Sequence, residues 1–481
     1  MALRIAVSAA LLAGCLLTPA RAAPADPTPD QARSALRRAV KFFRESVATE
    51  GGYLWQYSAD LTLREGEGKA TASQIWVQTP GTPRVGQAYL DAYRHTGDSY
   101  LLEAARSAAA ALVRGQLRSG GWDYRVEFDD QRRERYAYRV DPARSRARDV
   151  TVLDDDNTQS ALRFLMQLDR ELQLRDQVIH ECVTYALEHL LAAQYPNGAW
   201  PQRYSAPPDP AAFPVLKANY PDSWSREFTK PAYAAYYTLN DNTLADMIST
   251  MLLASGIYGE PRYRAAAQRA GDFLILAQMP APQPAWAQQY NPQMQPAWAR
   301  KFEPPSITGG ESQGVMRVLL ELYRVTGEQR YLQPIPRALA YLRESQLPDG
   351  RLARFYELKT NRPLYFTTDY QLTYDDGDMP THYAFIVSSQ LKSIQQGYER
   401  AVGSPWEPPA PQPLSTKPVR NERHARRVRA AIAALDERGG WVEPGQLRYQ
   451  DGPADSRIIR CRTFVENIRL LSQYIGRDSW K

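Results

Sequence analysis

The chain has 481 residues, 43% of them hydrophobic, and a formal net charge of +6. Such a length supports one large core or two ordinary ones. The mild positive balance permits an acidic partner, and no Lys/Arg block of the kind that forms a nucleic-acid-binding arm occurs, which excludes that class.

The N-terminus opens with Arg4 and an apolar run from Ile5 to Leu17, then Ala20-Arg21-Ala22 as a small-x-small cleavage pattern. Residues 1–22 therefore read as a signal peptide, and the mature chain as periplasmic or secreted. Leu12-Ala13-Gly14-Cys15 also fits a lipobox that would place a lipid on Cys15, but the apolar run before that cysteine is short, and cleavage near Ala22 or Ala23 is preferred. Nothing later approaches the ~18 apolar residues of a membrane span. Cleavage leaves Cys182 and Cys461, each on an apolar helical pattern. They form either one disulfide or two buried thiols.

From there the sequence repeats one plan: helix, short turn, helix, and a loop rich in glycine and aromatics. Val85 to Val113 leads to Gly120-Gly121-Trp122, and Thr158 to Ala193 to Asn197-Gly198-Ala199-Trp200. A third unit from Leu244 reaches Pro284-Ala285-Trp286, and a fourth from Gly314 reaches Asp349-Gly350. Apolar residues recur at helical spacing, as in Val315, Leu319, Leu322 and Tyr323. Strand-like alternation is weak. Regular helix pairs of this kind predict an all-α (α/α) toroid whose loops share one functional face. The toroid is expected over residues 23–404. A proline-rich strap covers 405–420, and a helix pair within 421–481 either closes the ring or flanks it.

Three loops carry candidate chemistry. Asp154-Asp155-Asp156 precedes a helix start and holds more acids than a cap needs; their mutual repulsion calls for a cation. Oxygen ligands without nearby Cys or His suit a hard ion such as Ca2+. Asn240-Asp241-Asn242 repeats the idea one unit later, making Asp241, with Asn242, a candidate ligand beside Asp154 and Asp155. The second loop, Trp298-Ala299-Arg300-Lys301-Phe302-Glu303, offers a tryptophan platform, a basic pair and an acid. The third places Arg354 and Arg362 among Phe355, Tyr356 and Tyr365. Guanidinium forks hold carboxylates and aromatic walls pack on sugars, so this loop suits an anionic carbohydrate.

These blocks, in this order between about residue 50 and about residue 390, resemble the family 10 pectate lyases, the pectic acid lyase group. The resemblance rests on Asp154 with Thr158 and Arg163-Phe164-Leu165, on Trp200-Pro201-Gln202 and on Asn240-Asp241-Asn242. It continues through Ala299-Arg300, Phe302-Glu303-Pro304-Pro305-Ser306, Gly309, Glu311-Ser312, and Ala353-Arg354-Phe355-Tyr356-Glu357 to Asn361-Arg362-Pro363. It implies an (α/α) toroid that cleaves polygalacturonate by calcium-dependent β-elimination. It further implies that Asp154 and Asp241 are calcium or substrate-site acids, that Arg300 takes the proton, and that Arg354 and Arg362 bind substrate carboxylates. Two departures stand out: Asp154-Asp155 replaces the family's usual Asp-Asn, and the stretch after Pro363, with Tyr374-Asp375-Asp376, is unlike the typical enzyme.

Arginine is a poor base, so Arg300 serves only if cationic neighbours favour its neutral form. Rival readings are a glycoside hydrolase pairing Asp155 with Asp241 or Glu311, a terpene-cyclase-like toroid, and a non-catalytic polyuronate-binding protein. A monomer acting on an acidic polysaccharide, without nucleic acid or a membrane span, is the expectation.

Overall fold

A computed structural model describes residues 25–410, 415–450 and 456–477. The signal-peptide and lipobox readings fall on residues outside that range, as does part of the proline-rich strap. Twelve helices of ten or more residues occur among the described residues. They are α1 (Pro29–Phe42), α2 (Thr82–Thr96), α3 (Ser99–Arg114), α4 (Asn157–Glu171), α5 (Gln177–Ala192) and α6 (Thr243–Tyr258). The rest are α7 (Pro261–Leu276), α8 (Gly309–Thr326), α9 (Ile335–Glu344), α10 (Leu391–Gly403), α11 (Glu422–Ala433) and α12 (Cys461–Ile475).

Local signals explain where they start and stop. Thr28 and Gln31 cap α1 reciprocally, with Pro29 at its first position and Ala32, Ala35, Leu36, Ala39 and Val40 on the buried stripe. Asp98 and Asp176 cap α3 and α5. Helices α2, α6 and α8 each end on a glycine with left-handed φ (Gly97, Gly259, Gly327), whose N–H closes the last turn.

The helices form two concentric layers. Side by side in the inner layer run α12, α2, α4, α6, α8 and α10; α3, α5, α7 and α9 back their hairpin partners, while α1 and α11 back α12. The chain is thus an (α/α) toroid, in which the C-terminal helix α12 takes its place in the inner layer beside α2, backed by the N-terminal helix α1. Cys182 on α5 and Cys461 on α12 are separate, buried free thiols. Among the described residues no helix is long and apolar enough to cross a membrane.

The glycine-aromatic loops turn out to be the clasps of the hairpins. The indole N–H of Trp122 donates to Leu112 O (2.7 Å), Trp200 to Leu190 O (2.7 Å), Trp286 to Leu274 O (2.8 Å) and Trp441 to Ala431 O (2.8 Å). Each closes a helix-end carbonyl that burial would otherwise orphan. Gln116, Gln194 and Gln278 add a second stitch, each bridging its own loop to the next outer helix or the turn before it, as Gln116 does between Gly120 O and Cys182 O. The rim also carries antiparallel strands of two to four residues, such as Thr151–Val152 with Arg203–Tyr204 and Ser306–Thr308 with Phe355–Glu357. They are too short for alternation to show in sequence, and they fix the site loops in register.

Candidate active site

The site begins with one backbone device used twice, immediately before inner helices α4 and α6. Leu153 (φ −103°, ψ −2°) and Leu239 (φ −106°, ψ −4°) have nearly the same conformation, and each donates its N–H to a glutamine carbonyl, Gln202 or Gln288. Two left-handed residues then follow: Asp155 and Asp156 (φ 52° and 57°), Asp241 and Asn242 (φ 48° and 57°). Asp and Asn tolerate this region better than most residues, yet each still costs on the order of 1 kcal/mol. The side chains of the same glutamines complete the match: Gln202 Nε2 donates to Asp154 Oδ1 (3.1 Å) and Gln288 Nε2 to Asn240 Oδ1 (2.6 Å).

The two strained turns bring together the three acids expected from sequence. Asp154, Asp155 and Asp241 each place a carboxylate oxygen within 4.8 Å of the others. Burial, then Asp154, Asp241 and Glu67, pushes the Asp155 carboxyl up to about 7. Burial and Asp154 push Asp241 up to about 6, against the opposing pull of Arg300. Asp154 is raised chiefly by burial. Such crowding is the state a bound cation relieves. Carboxylate oxygens without thiolate or imidazole fit a hard divalent ion.

Arg300 lies beside this cluster. Its Nη2 donates to Glu303 Oε1 (2.5 Å) and lies 3.6 Å from Asp241 Oδ2. Glu303 is fully buried and also receives Gln288 Nε2 (2.8 Å) and the Tyr383 hydroxyl (3.1 Å). Burial lowers the Arg300 pKa, but the Glu303 hydrogen bond and the charges of Glu303 and Asp241 outweigh it, and the guanidinium is held more firmly protonated than usual. The cationic neighbours that the sequence reading required are replaced by anionic ones. Further along, Arg354 donates to Ala384 O and Glu311 Oε1 (both 2.7 Å) and sits over the Tyr383 ring. It lines a cavity of about 250 Å3 between α6 and α8, with Asp241, Asn242 and Glu311.

Three expected substrate binders are placed otherwise. Arg362 stands on an exposed hairpin, stacked 3.4 Å from the centre of the Tyr374 ring, with no contact to the acidic cluster among the described residues. Trp298 is buried, its N–H donating to Ser225 O and its edges against Phe228 and Phe366, so it offers no free face. Tyr356 is also buried and works as a clasp, donating to Ser345 O and accepting from Ala353 N. Both were read as sugar platforms because their loops carry arginines; packing decided otherwise. The aromatic group shared by Arg300 and Arg354 is Tyr383, to which the sequence assigns no role. Gln202 and Gln288 also received no role, although Trp200-Pro201-Gln202 and Trp286-Ala287-Gln288 share a Trp-x-Gln spacing that marks the repeat.

Residues 116–322 match the family model described as pectic acid lyase; Asp154, Asp155, Asp241, Arg300, Glu303 and Glu311 lie inside that stretch, and Arg354 and Tyr383 lie beyond it. That stretch, under half of the chain, is similar to polysaccharide lyases. No curated protein sequence matches it. Among solved structures, a family 10 polysaccharide lyase from Cellvibrio cellulosa is 20% identical, covering 66% of this chain and 97% of that one, with a TM-score of 0.45. D-mannose isomerase is 14% identical over 95% of this chain and 99% of its own, with a TM-score of 0.44. A GH76 mannanase from Bacteroides thetaiotaomicron is 10% identical over 93% and 94%, with a TM-score of 0.41. These are likenesses of shape and assign no chemistry.

Proposed function

We propose that the chain is an exported, monomeric pectate lyase that cleaves polygalacturonate, or a related acidic polysaccharide, by Ca2+-assisted β-elimination. The convergence of Asp154, Asp155 and Asp241 beside Arg300 and Arg354 carries the reading.

Elimination removes the proton α to a uronate carboxylate, and the electron pair forms a carbon–carbon double bond as the glycosidic C–O bond breaks. Neutralising the carboxylate acidifies that proton and stabilises the enolate-like intermediate. The acidic triad would hold Ca2+, which when bound supplies charge neutralisation to the uronate. Arg354, anchored by Glu311 and Ala384, presents its remaining N–H groups to a carboxylate. Arg300 takes the proton. Glu303 and Asp241 favour its protonated state, so this role requires the cation that the triad would hold beside Asp241, which would supply the positive neighbour the neutral form needs. Tyr383 and Gln288 position this pair through Glu303.

Product analysis tests the reading: polygalacturonate incubated with the protein and Ca2+ should yield unsaturated chain ends by mass spectrometry. Saturated, hydrated ends would show a hydrolase instead.

A further inference from the structure

Helix α10 ends at Gly403, and the next two residues decide where the chain goes. Ser404 is extended (φ −135°, ψ 146°) ahead of Pro405, whose ring keeps its predecessor out of the helical region. The chain therefore leaves the helix axis and lays Trp406 over the C-terminal end of α8. There the indole N–H donates to Arg324 O (3.1 Å), one of the helix-end carbonyls without an intrahelical partner. Gly327, the left-handed residue that ends α8, backs one face of the ring: a Cβ on it would meet three ring carbons at 2.7–3.0 Å. Although pinned in this way, Trp406 is 38% exposed, and no other tryptophan among the described residues stands out so far.

The ring borders a groove of about 390 Å3 between α8 and α10, which also carries Arg317, Arg324 and Arg400. Its acids are Glu321 and Glu407, and both oxygens of Glu321 are already taken by Arg324 (2.7 and 2.5 Å). Arg317 donates to Gln390. Arg400 has neither a hydrogen bond nor an ion pair among the described residues. The groove is thus positive by one charge, and sets an unused guanidinium fork near an aromatic face that meets solvent.

We propose that this groove is a second polysaccharide-binding site, which holds an acidic polymer away from the point of cleavage. The choice of polymer rests on the lyase reading above and on the groove's own charge. Aromatic faces pack on sugar rings and guanidinium forks grip their carboxylates. An indole whose N–H is already bonded offers only its face, which suits a sugar ring better than a hydrogen-bonding peptide. Arg324 in the groove and Glu311 at the rim are about 20 Å apart along α8. Arg400 and Trp406 also lie beyond the stretch that matches the family model. The groove therefore touches no reacting atom. It gives long chains a second attachment, which raises their effective concentration at the rim and leaves short ones unaffected.

Native electrophoresis through polygalacturonate in excess chelator, compared with polymer-free gels, reads polymer binding without Ca2+ or cleavage. Arg400→Ala should raise the dissociation constant for the polymer about tenfold, the size of one lost hydrogen bond to a charged group. Trp406→Ala should raise it at least as much, and Arg400→Lys and Trp406→Phe should each recover part of the loss. With Ca2+, the rate on trigalacturonate should stay at the wild-type value in all four. Arg400 holds no other group in place, so its variants keep the test open if Trp406→Ala fails to fold. Variants that bind the polymer as wild type does would overturn the inference. So would equal weakening toward a neutral glucan, or a wild-type dimer that Trp406→Ala splits in sedimentation, which would make the groove a contact between copies. Retardation that depends on both residues, in a wild type that leaves the polymer uncut with Ca2+, would sustain this site and overturn the lyase reading alone.

Discussion

Replacing Asp155 by asparagine separates what the site needs for folding from what it needs for a cation. Asn tolerates the left-handed φ of 52° and removes one of three crowded charges. The folded chain holds the Asp155 carboxyl at about 7, against its usual 3.8. Between those values the folded state binds more protons than the unfolded state, so metal-free stability falls as pH rises through the window, and the full penalty stands above pH 7. Such a displacement corresponds to about 4 kcal/mol before screening. Asp155 is partly exposed at the rim, and screening reduces this to about 1–2 kcal/mol. In chelator at pH 8, Asp155→Asn should therefore melt higher than wild type by about 1–2 °C, given roughly one degree per kcal/mol for a chain of this size. At pH 4 the gain should vanish. Added Ca2+ should reverse the order at pH 8, because the variant has lost a ligand. Differential scanning fluorimetry with and without chelator reads all of this. A variant less stable than wild type in chelator at pH 8, or one that gains as much from Ca2+, would refute the reasoning.

Three more outcomes follow from the same geometry. Because Asp155 and Asp241 titrate near 7 and 6, Ca2+ affinity should climb between about pH 5.5 and 7.5 and then level off, with proton release on binding at the lower pH; a pH-independent calorimetric affinity would contradict this. Arg354→Ala should raise KM and cost about 3 kcal/mol of stability by stranding the buried Glu311, whereas Arg362→Ala should change neither; matching kinetic effects would restore Arg362 to the site. Arg300→Ala should lower kcat by about 100-fold or more at little change in KM, and Arg300→Lys should keep some turnover with its pH profile moved toward neutrality; a pure KM effect would make Arg300 a carboxylate clamp.

Much of this was legible in the sequence, for reasons that are local. The helix pairs show because apolar residues such as Leu319, Leu322 and Tyr323 recur at helical spacing and glycines such as Gly327 end the helices. The triad shows because Asp154-Asp155-Asp156 exceeds what a cap requires and recurs as Asn240-Asp241-Asn242. What stayed hidden depends on contacts between distant segments. Nothing near Trp298 says that Ser225 and Phe228 cover it, nothing near Tyr383 says that Glu303 receives its hydroxyl, and Arg362 is separated from Arg354 by a hairpin turn that sends it outward. The expectation for Arg300 failed in its surroundings: its partner Glu303 is three residues away, quoted in the motif but assigned no role.

The central claim is that Asp154, Asp155 and Asp241 make elimination depend on a cation. The most direct measurement is the initial rate of ultraviolet absorbance from new double bonds in polygalacturonate, with chelator-treated protein titrated with Ca2+. The rate should be near zero without Ca2+ and rise to saturation, and Asp241→Asn should need markedly more Ca2+ to reach half its maximum. Full rate in excess chelator, or an Asp241→Asn titration that overlays wild type, would contradict the account.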